Sequence, residues 1–273
     1  MIDSHQHFWK YNPVRDSWIT QEMKMLKNDF LPEHLAPTLI QHKIDGCVAV
    51  QADQSETETE FLLGLSTKNS FIRGVVGWVD LCSDNIKERL DYFEHFKNLK
   101  GFRHIVQAEP KGFMQQKKFL FGISQLEKYR FTYDILIYHH QVEEAIGFLK
   151  HFPNQKFVVD HLAKPDIKQN AFYDWSKKIK ELAAFENVSC KLSGFSTEAD
   201  WANWRQEEVM PYLDFALAEF GTARLMYGSD WPVCLLATTY EKQLDLVEKF
   251  TTQLSNSEKQ NVMCENAVHF YNL

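Results

Sequence analysis

Apolar residues gather in eight short runs along the chain: Met1–His5, Cys47–Ala52, Ile72–Val79, Leu99–Val106, Tyr133–Tyr138, Lys156–Asp160, Val188–Leu192 and Arg224–Gly228. Most are continuous rather than alternating, and rich in β-branched or aromatic residues, the pattern of strands buried on both faces. Between the runs, apolar residues return at helical spacing. Asp84–Phe96 carries Ile86, Leu90 and Phe93 on one stripe, with Ser83 as the expected N-cap. Gln141–His151 carries Val142, Ala145, Ile146 and Leu149, and Pro153 follows its end. Pro211–Phe220 is expected to open on its proline and stop at Gly221. Pro32–Lys43, Glu56–Lys68, Gln115–Tyr129, Ala171–Phe185, Tyr240–Gln253 and Ser257–Phe270 read as further helices. Strand then helix, eight times over, predicts an α/β fold of the (β/α)8 TIM-barrel class. A doubly wound open sheet also alternates, but is more often shorter or interrupted. No low-complexity linker or charge block divides the chain, so residues 1–273 are expected to form a single domain.

Two connections are long, and both follow strand C-termini, the end where barrels carry their sites. Phe8–Leu31 holds Trp9, Tyr11, Pro13 and Trp18; Ser193–Met210 holds Phe195, Trp201 and Trp204. These aromatics suit either a substrate wall or lid, or the plain anchoring of a long loop.

Composition narrows the class. The formal net charge is -7, which argues against a nucleic-acid or anionic-membrane surface while leaving room for a small basic pocket. No run approaches the ~18 apolar residues of a membrane span, and the first residues lack a basic segment followed by an apolar one. The five cysteines are scattered, with no C-x-x-C pair, and read as free thiols of a reducing, cytoplasmic compartment.

The chemistry sits at the strand ends. His5 and His7 share one strand face and can hold a transition metal or polarise one substrate oxygen. Gly101-Phe102-Arg103-His104, Tyr138-His139-His140, Asp160-His161-Leu162-Ala163-Lys164-Pro165, Lys191-Leu192-Ser193 and Tyr227-Gly228-Ser229-Asp230-Trp231-Pro232 close later strands. Any one of these is more often structural than functional. Together, on one rim, so many ionisable groups are costly to bury without a task.

With Ile2-Asp3-Ser4-His5-Gln6-His7-Phe8-Trp9, Cys190-Lys191-Leu192-Ser193-Gly194 and Asn266-Ala267, these motifs resemble the amidohydrolase superfamily over the whole chain. They are closest to its sugar-acid lactonase branch, which includes L-fuconolactonase-, L-rhamnonolactonase- and 2-pyrone-4,6-dicarboxylate lactonase-like enzymes. The resemblance implies an amidohydrolase-type barrel that hydrolyses a small-molecule sugar lactone, an aldonolactone with L-fuconolactone first, as a monomer or homodimer. It implies Asp230 as the base that activates water, and His5, His7 and His161 as the groups that polarise the carbonyl. His5, His7, His161 and Asp230 would also be the ligands of one divalent metal, zinc first, in a branch where some members work without metal. No lysine follows the fourth strand to bridge two ions, and His139 or His140 is left without an assigned role. Arg103, His104, Lys191, Trp78, Tyr138 and Trp231 are expected to contact substrate, and Asp160 to be structural, pointing away from His161. The rival readings are a metal-dependent aryl-acid decarboxylase of the same fold, a 2-pyrone-4,6-dicarboxylate-type lactonase, and a non-catalytic binding barrel.

Overall fold

In the computed structural model, which describes residues 1–273, eight parallel strands pair in chain order. They are β1 (Ile2–Gln6), β2 (Gly46–Val50), β3 (Ile72–Gly77), β4 (Leu99–His104), β5 (Thr132–Ile135), β6 (Phe157–Val159), β7 (Val188–Leu192) and β8 (Leu225–Tyr227). The eight-stranded α/β barrel is nearly closed. Across the last seam the His7 N–H donates to the Trp231 carbonyl at 2.7 Å and the Asp230 N–H to the His5 carbonyl at 2.8 Å. Each strand is shorter than or equal to its apolar run, because the C-terminal residues of most runs leave the ladder to build the site.

The surrounding helices are α1 (Pro32–Gln41), α2 (Glu56–Lys68), α3 (Ile86–Phe93), α4 (Lys117–Leu126), α5 (Val142–Leu149), α6 (Phe172–Ala183), α7 (Gln206–Phe220), α8 (Tyr240–Phe250), α9 (Asn256–Gln260) and α10 (Asn266–Tyr271). None is long and apolar enough to cross a membrane. Three expectations need correcting. Ser83 does not cap α3; Asn85 occupies the N-cap position and provides no side-chain cap. Pro211 does not open α7, which begins at Gln206. There the Glu208 carboxylate accepts the Arg205 N–H at 3.1 Å, so the start is set before the proline and Pro211 forfeits only one backbone bond inside the helix. The stretch expected as one helix over Ser257–Phe270 is two helices joined by a π-helical turn at Asn261–Glu265. Asn266 then ties α10 to the barrel by donating to the Thr222 and Leu225 carbonyls, both at 2.7 Å.

Strand alternation sorts the core into two shells. One side of each strand packs under the helices, as with Cys47, Val75, Phe102, Tyr133, Val159, Cys190 and Tyr227. The barrel interior is lined by Ile2, Val48, Val50, Val76, Val158 and Met226, and Ala267 and Tyr271 of α10 pack against them. The five cysteines form no disulfide, and Cys47, Cys190 and Cys234 are buried.

Candidate active site

Two departures from regular strand geometry aim the site residues. β1 pairs with β2 at Asp3–Cys47 and next at Gln6–Ala49, so β1 carries one extra residue between them. This bulge resets the alternation. Ile2 faces the interior, Asp3 meets the Tyr240 hydroxyl of α8, and His5 and His7 both turn inward.

The second departure follows β6. His161, Leu162, Ala163 and Lys164 have φ of 55°, 56°, 56° and 48°, a full left-handed turn without a glycine. Each such residue costs roughly 1–2 kcal/mol, so the surroundings must hold it. Trp175 Nε1 donates to the Leu162 carbonyl at 2.7 Å, the Lys164 N–H to the His161 carbonyl at 2.8 Å, and His139 Nδ1 to the Lys164 carbonyl at 3.0 Å. Gly194, itself at φ 63°, lets the His161 ring approach: a Cβ there would lie 2.6 Å from it. Asp160 keeps the interior direction of Val158, and the turn brings His161 inward as well. The expectation that Asp160 points away from His161 is therefore overturned; the alternation on which it rested ends at the turn. His139, to which the sequence assigns no role, fastens the turn, and His140 is exposed.

The imidazoles meet around one carboxylate oxygen. Asp230 Oδ1 lies 3.3 Å from His7 Nε2 and 3.8 Å from the Nε2 atoms of both His5 and His161. His5 Nε2 and His7 Nε2 are 3.2 Å apart. Their Nδ1 atoms are engaged elsewhere: His7 with the Val50 carbonyl at 2.7 Å, His161 with Ser193 Oγ at 2.9 Å, His5 with Lys191 Nζ at 3.0 Å and Asp160 Oδ1 at 3.3 Å. Beneath them lies a sealed ionic layer. Lys191 Nζ is 2.5 Å from Asp134 Oδ2 and 3.0 Å from Asp160 Oδ1. Arg103 Nη1 reaches Asp160 at 3.0 Å and His5 Nε2 at 3.3 Å, and its Nη2 donates to the Gln51 carbonyl. Tyr271 donates to Asp134 at 2.8 Å from below.

Burial sets the protonation states. It pushes His5 well below the ordinary imidazole range and His161 down to about 4, so both are neutral at pH 7. Burial alone would raise Asp230, but His161, His7 and His5 outweigh it and keep the carboxyl below its usual range. Asp134 is raised to about 6, by burial first, against the pull of Lys191. With their Nδ1 atoms engaged by outer partners, the three imidazoles turn their Nε2 atoms inward, the donor set and outer support that a transition metal takes. His5, His161 and Asp230 offer ligand atoms all within 4.8 Å of one another, and His7 Nε2 adjoins them. The other compact group, His5, Asp134 and Asp160, is already neutralised by Lys191 and Arg103.

Above the site opens a cavity of about 300 Å³, whose lining includes His7, His161, Asp230, Arg103, Trp9 and Trp18. Four of the expected site residues thus share it, with His5 directly beneath. Five expected substrate contacts are not among its lining. His104 follows Arg103 on β4 and so faces the helices, where it bonds Glu109 at 2.8 Å and stacks on Phe113 at 4.7 Å. Trp78 is held on that side by Thr59, whose hydroxyl bonds its N–H and carbonyl, both at 2.8 Å. Lys191 points inward but is fully buried in the ionic layer. Tyr138 stacks with His140 at 5.6 Å, and Trp231 packs against Phe30 at 5.3 Å. Of the long loops, the first supplies cavity wall through Trp9 and Trp18. In the second, Trp201 and Trp204 anchor backbone, donating to Thr197 and Ala237 at 2.8 Å each. The cavity-lining Gln54, Gln107 and Lys164, and Asp134 below, were not anticipated as site residues. Lys164 lies in the motif that closes the sixth strand and Asp134 is a carboxylate inside an apolar run, whereas Gln54 and Gln107 leave no sequence signal.

Comparison with known proteins is consistent with this geometry. A family model described as Amidohydrolase matches residues 2–273. The chain is similar to an L-fucono-1,5-lactonase of Burkholderia multivorans, at 37% identity over 284 residues, spanning 100% of this chain and 96% of that protein. An L-fucono-1,5-lactonase of Burkholderia ambifaria is 31% identical over 277 residues, spanning 100% and 95%. The crystal structure of a Burkholderia multivorans amidohydrolase with bound zinc superposes with a TM-score of 0.97 at 37% identity, covering 100% of this chain and 99% of that one.

Proposed function

The chain belongs to the amidohydrolase family, and we propose that it is a lactonase that hydrolyses L-fucono-1,5-lactone, or a close aldonolactone, to the hydroxy acid. Residues 1–273 act as one catalytic domain. The observation that carries this reading is the meeting of three imidazole Nε2 atoms and Asp230 Oδ1 at the inner end of a cavity of sugar-ring size. It is supported by similarity to L-fucono-1,5-lactonases along the full chain.

Lactone hydrolysis needs a proton removed from water and negative charge held on the carbonyl oxygen. Asp230 is ionised, and all three imidazoles approach its Oδ1, which leaves Oδ2 to take the proton from water. His5, His7 and His161 orient the carbonyl, and their inward Nε2 atoms would hold a cation beside its developing charge. As the ring C–O bond breaks, the proton on Asp230 passes to the departing ring oxygen, giving the free hydroxy acid and restoring the carboxylate. Arg103 braces His5 and Asp160 at the floor of the cavity. His5, His7, His161 and Asp230 would also hold one divalent ion, zinc by its preference for nitrogen and oxygen donors. When bound, zinc supplies Lewis-acid polarisation of the carbonyl.

Proton-release kinetics on a panel of five- and six-membered aldonolactones, 2-pyrone-4,6-dicarboxylate and aryl acids test this. L-fucono-1,5-lactone should give the highest kcat/KM, with L-rhamnono- and galactonolactones next. Turnover of the pyrone dicarboxylate with no aldonolactone opened, or carbon dioxide release from an aryl acid, would overturn the reading.

A further inference from the structure

The cavity has a second polar wall that the mechanism above does not use. Three loops build it: Gln54 after β2, Gln107 after β4 and Lys164 after β6. Each is anchored close to the chain and keeps hydrogen-bonding capacity at its tip. Gln54 Oε1 accepts the Ile105 N–H at 2.7 Å, which orients the amide and leaves its Nε2 without a protein partner. Gln107 is held by its backbone N–H, which donates to the Leu136 carbonyl at 3.0 Å, while its buried Oε1 is bonded to nothing. Lys164 ends the strained left-handed turn, its carbonyl fastened by His139. Its ammonium lies 3.7 Å from Glu198, beyond hydrogen-bond length, and 5.3 Å from the centre of the Tyr138 ring. Arg103, the other cation of the cavity, is committed to Asp160 and Gln51.

A buried acceptor without a partner is uncommon in folded proteins and marks a place where a ligand completes the set. Here an unpartnered acceptor, an unpartnered amide donor and an ammonium that is ion-paired with Glu198 at 3.7 Å but makes no hydrogen bond share a cavity with Trp9 and Trp18. A hydroxyl donates and accepts, and a ring bearing several can satisfy all three groups while an aromatic covers its C–H face. A carboxylate cannot donate to Gln107 and would face its carbonyl oxygen unfavourably.

We propose that Gln54, Gln107 and Lys164 are specificity-determining residues that read the hydroxyls of the lactone. Gln107 accepts from one hydroxyl, and the Gln54 amide and Lys164 ammonium donate to others. The inference rests on the lactonase reading and adds to it the residues that choose a polyhydroxylated ring.

The test pairs the Gln107 and Lys164 side chains with each hydroxyl in double-mutant fashion. Wild type, Gln107→Leu, Lys164→Met and Lys164→Arg are assayed on L-fucono-1,5-lactone and on analogues each lacking one hydroxyl, with Tm as the fold control. Gln107→Leu should lower kcat/KM on the parent lactone about 10–100-fold, yet by less than about threefold on the one analogue lacking its hydroxyl. Lys164→Met should pick out a different analogue, and Lys164→Arg should recover most of its loss. Equal losses on every lactone, or no loss, overturn the assignment. If the wild type itself opens no aldonolactone, the lactonase reading falls and this inference falls with it; activity in the wild type with uniform variants sinks the inference alone.

Discussion

Lys191→Met tests whether the sealed layer beneath the imidazoles supports both the fold and the site. The Lys191 side chain is fully buried, 2.5 Å from Asp134 and 3.0 Å from Asp160, with His5 Nδ1 also at 3.0 Å. Methionine nearly keeps its volume and removes its charge. Breaking a buried ion pair on one side costs about 3–5 kcal/mol, because the partner charge is left uncompensated. Two features put this case at the lower end. Asp160 keeps Arg103 at 3.0 Å, and Asp134 keeps the Tyr271 hydroxyl at 2.8 Å. Asp134 is also raised to about 6, chiefly by burial, and can take up a proton once Lys191 is gone. A loss of about 3 kcal/mol is expected, or a Tm lower by about 6–12 °C at the 2–4 °C per kcal/mol of chains near this size. Denaturant unfolding measures it, with Asp134→Asn added in the same background. Removing the stranded carboxylate should restore part of the loss, whereas independent sites would add theirs. kcat should fall too, because His5 loses a partner at Nδ1. A Lys191→Met protein within about 1 kcal/mol of wild type, or a double variant whose losses simply add, would refute the argument.

Asp230→Asn keeps shape and removes basicity, so kcat should drop ~10²–10⁴-fold with Tm held; near-normal turnover in a folded variant sinks Asp230 as base. Elemental analysis should find at most about one transition metal per chain, lowered by His161→Asn, since the second compact acidic group is already paired with Lys191 and Arg103. Two tightly held equivalents with activity tracking both would count against this. Glu58, which accepts the Ala52 and Asp53 N–H groups and so shapes the β2–α2 loop, is raised to about 7, by burial first. A raised carboxyl contributes stability that is full below the ordinary glutamate value of 4.5 and is lost as pH rises through about 7. Urea midpoints at pH 5 and pH 8 should therefore differ less in Glu58→Gln than in wild type, and an unchanged difference would rule Glu58 out as the source.

The eight apolar runs and the helical spacing between them determined the barrel. Strands buried on both faces must be continuous in apolar residues, and that demand is local enough to read along the chain. Motif spacing likewise placed His5, His7, His161 and Asp230 on one rim, because parallel strands in chain order carry all their C-terminal ends to the same side. Helix starts were less legible: the carboxylate of Glu208, not the ring of Pro211, sets where α7 begins. Tertiary structure alone decided which way side chains turn at the strand ends. A bulge against β2 swings His5 and His7 inward, and a left-handed turn held by Trp175, His139 and Gly194 swings His161 beside Asp160. Both rest on partners far away in sequence, so period-two alternation cannot foresee them. Depth was hidden for the same reason. Lys191 looks like a rim cation, and only the register that sets Asp134 and Asp160 around it makes it a buried counter-charge. Gln54, Gln107 and Lys164 lie on loops without periodicity, where chemistry depends on which side chains converge in space.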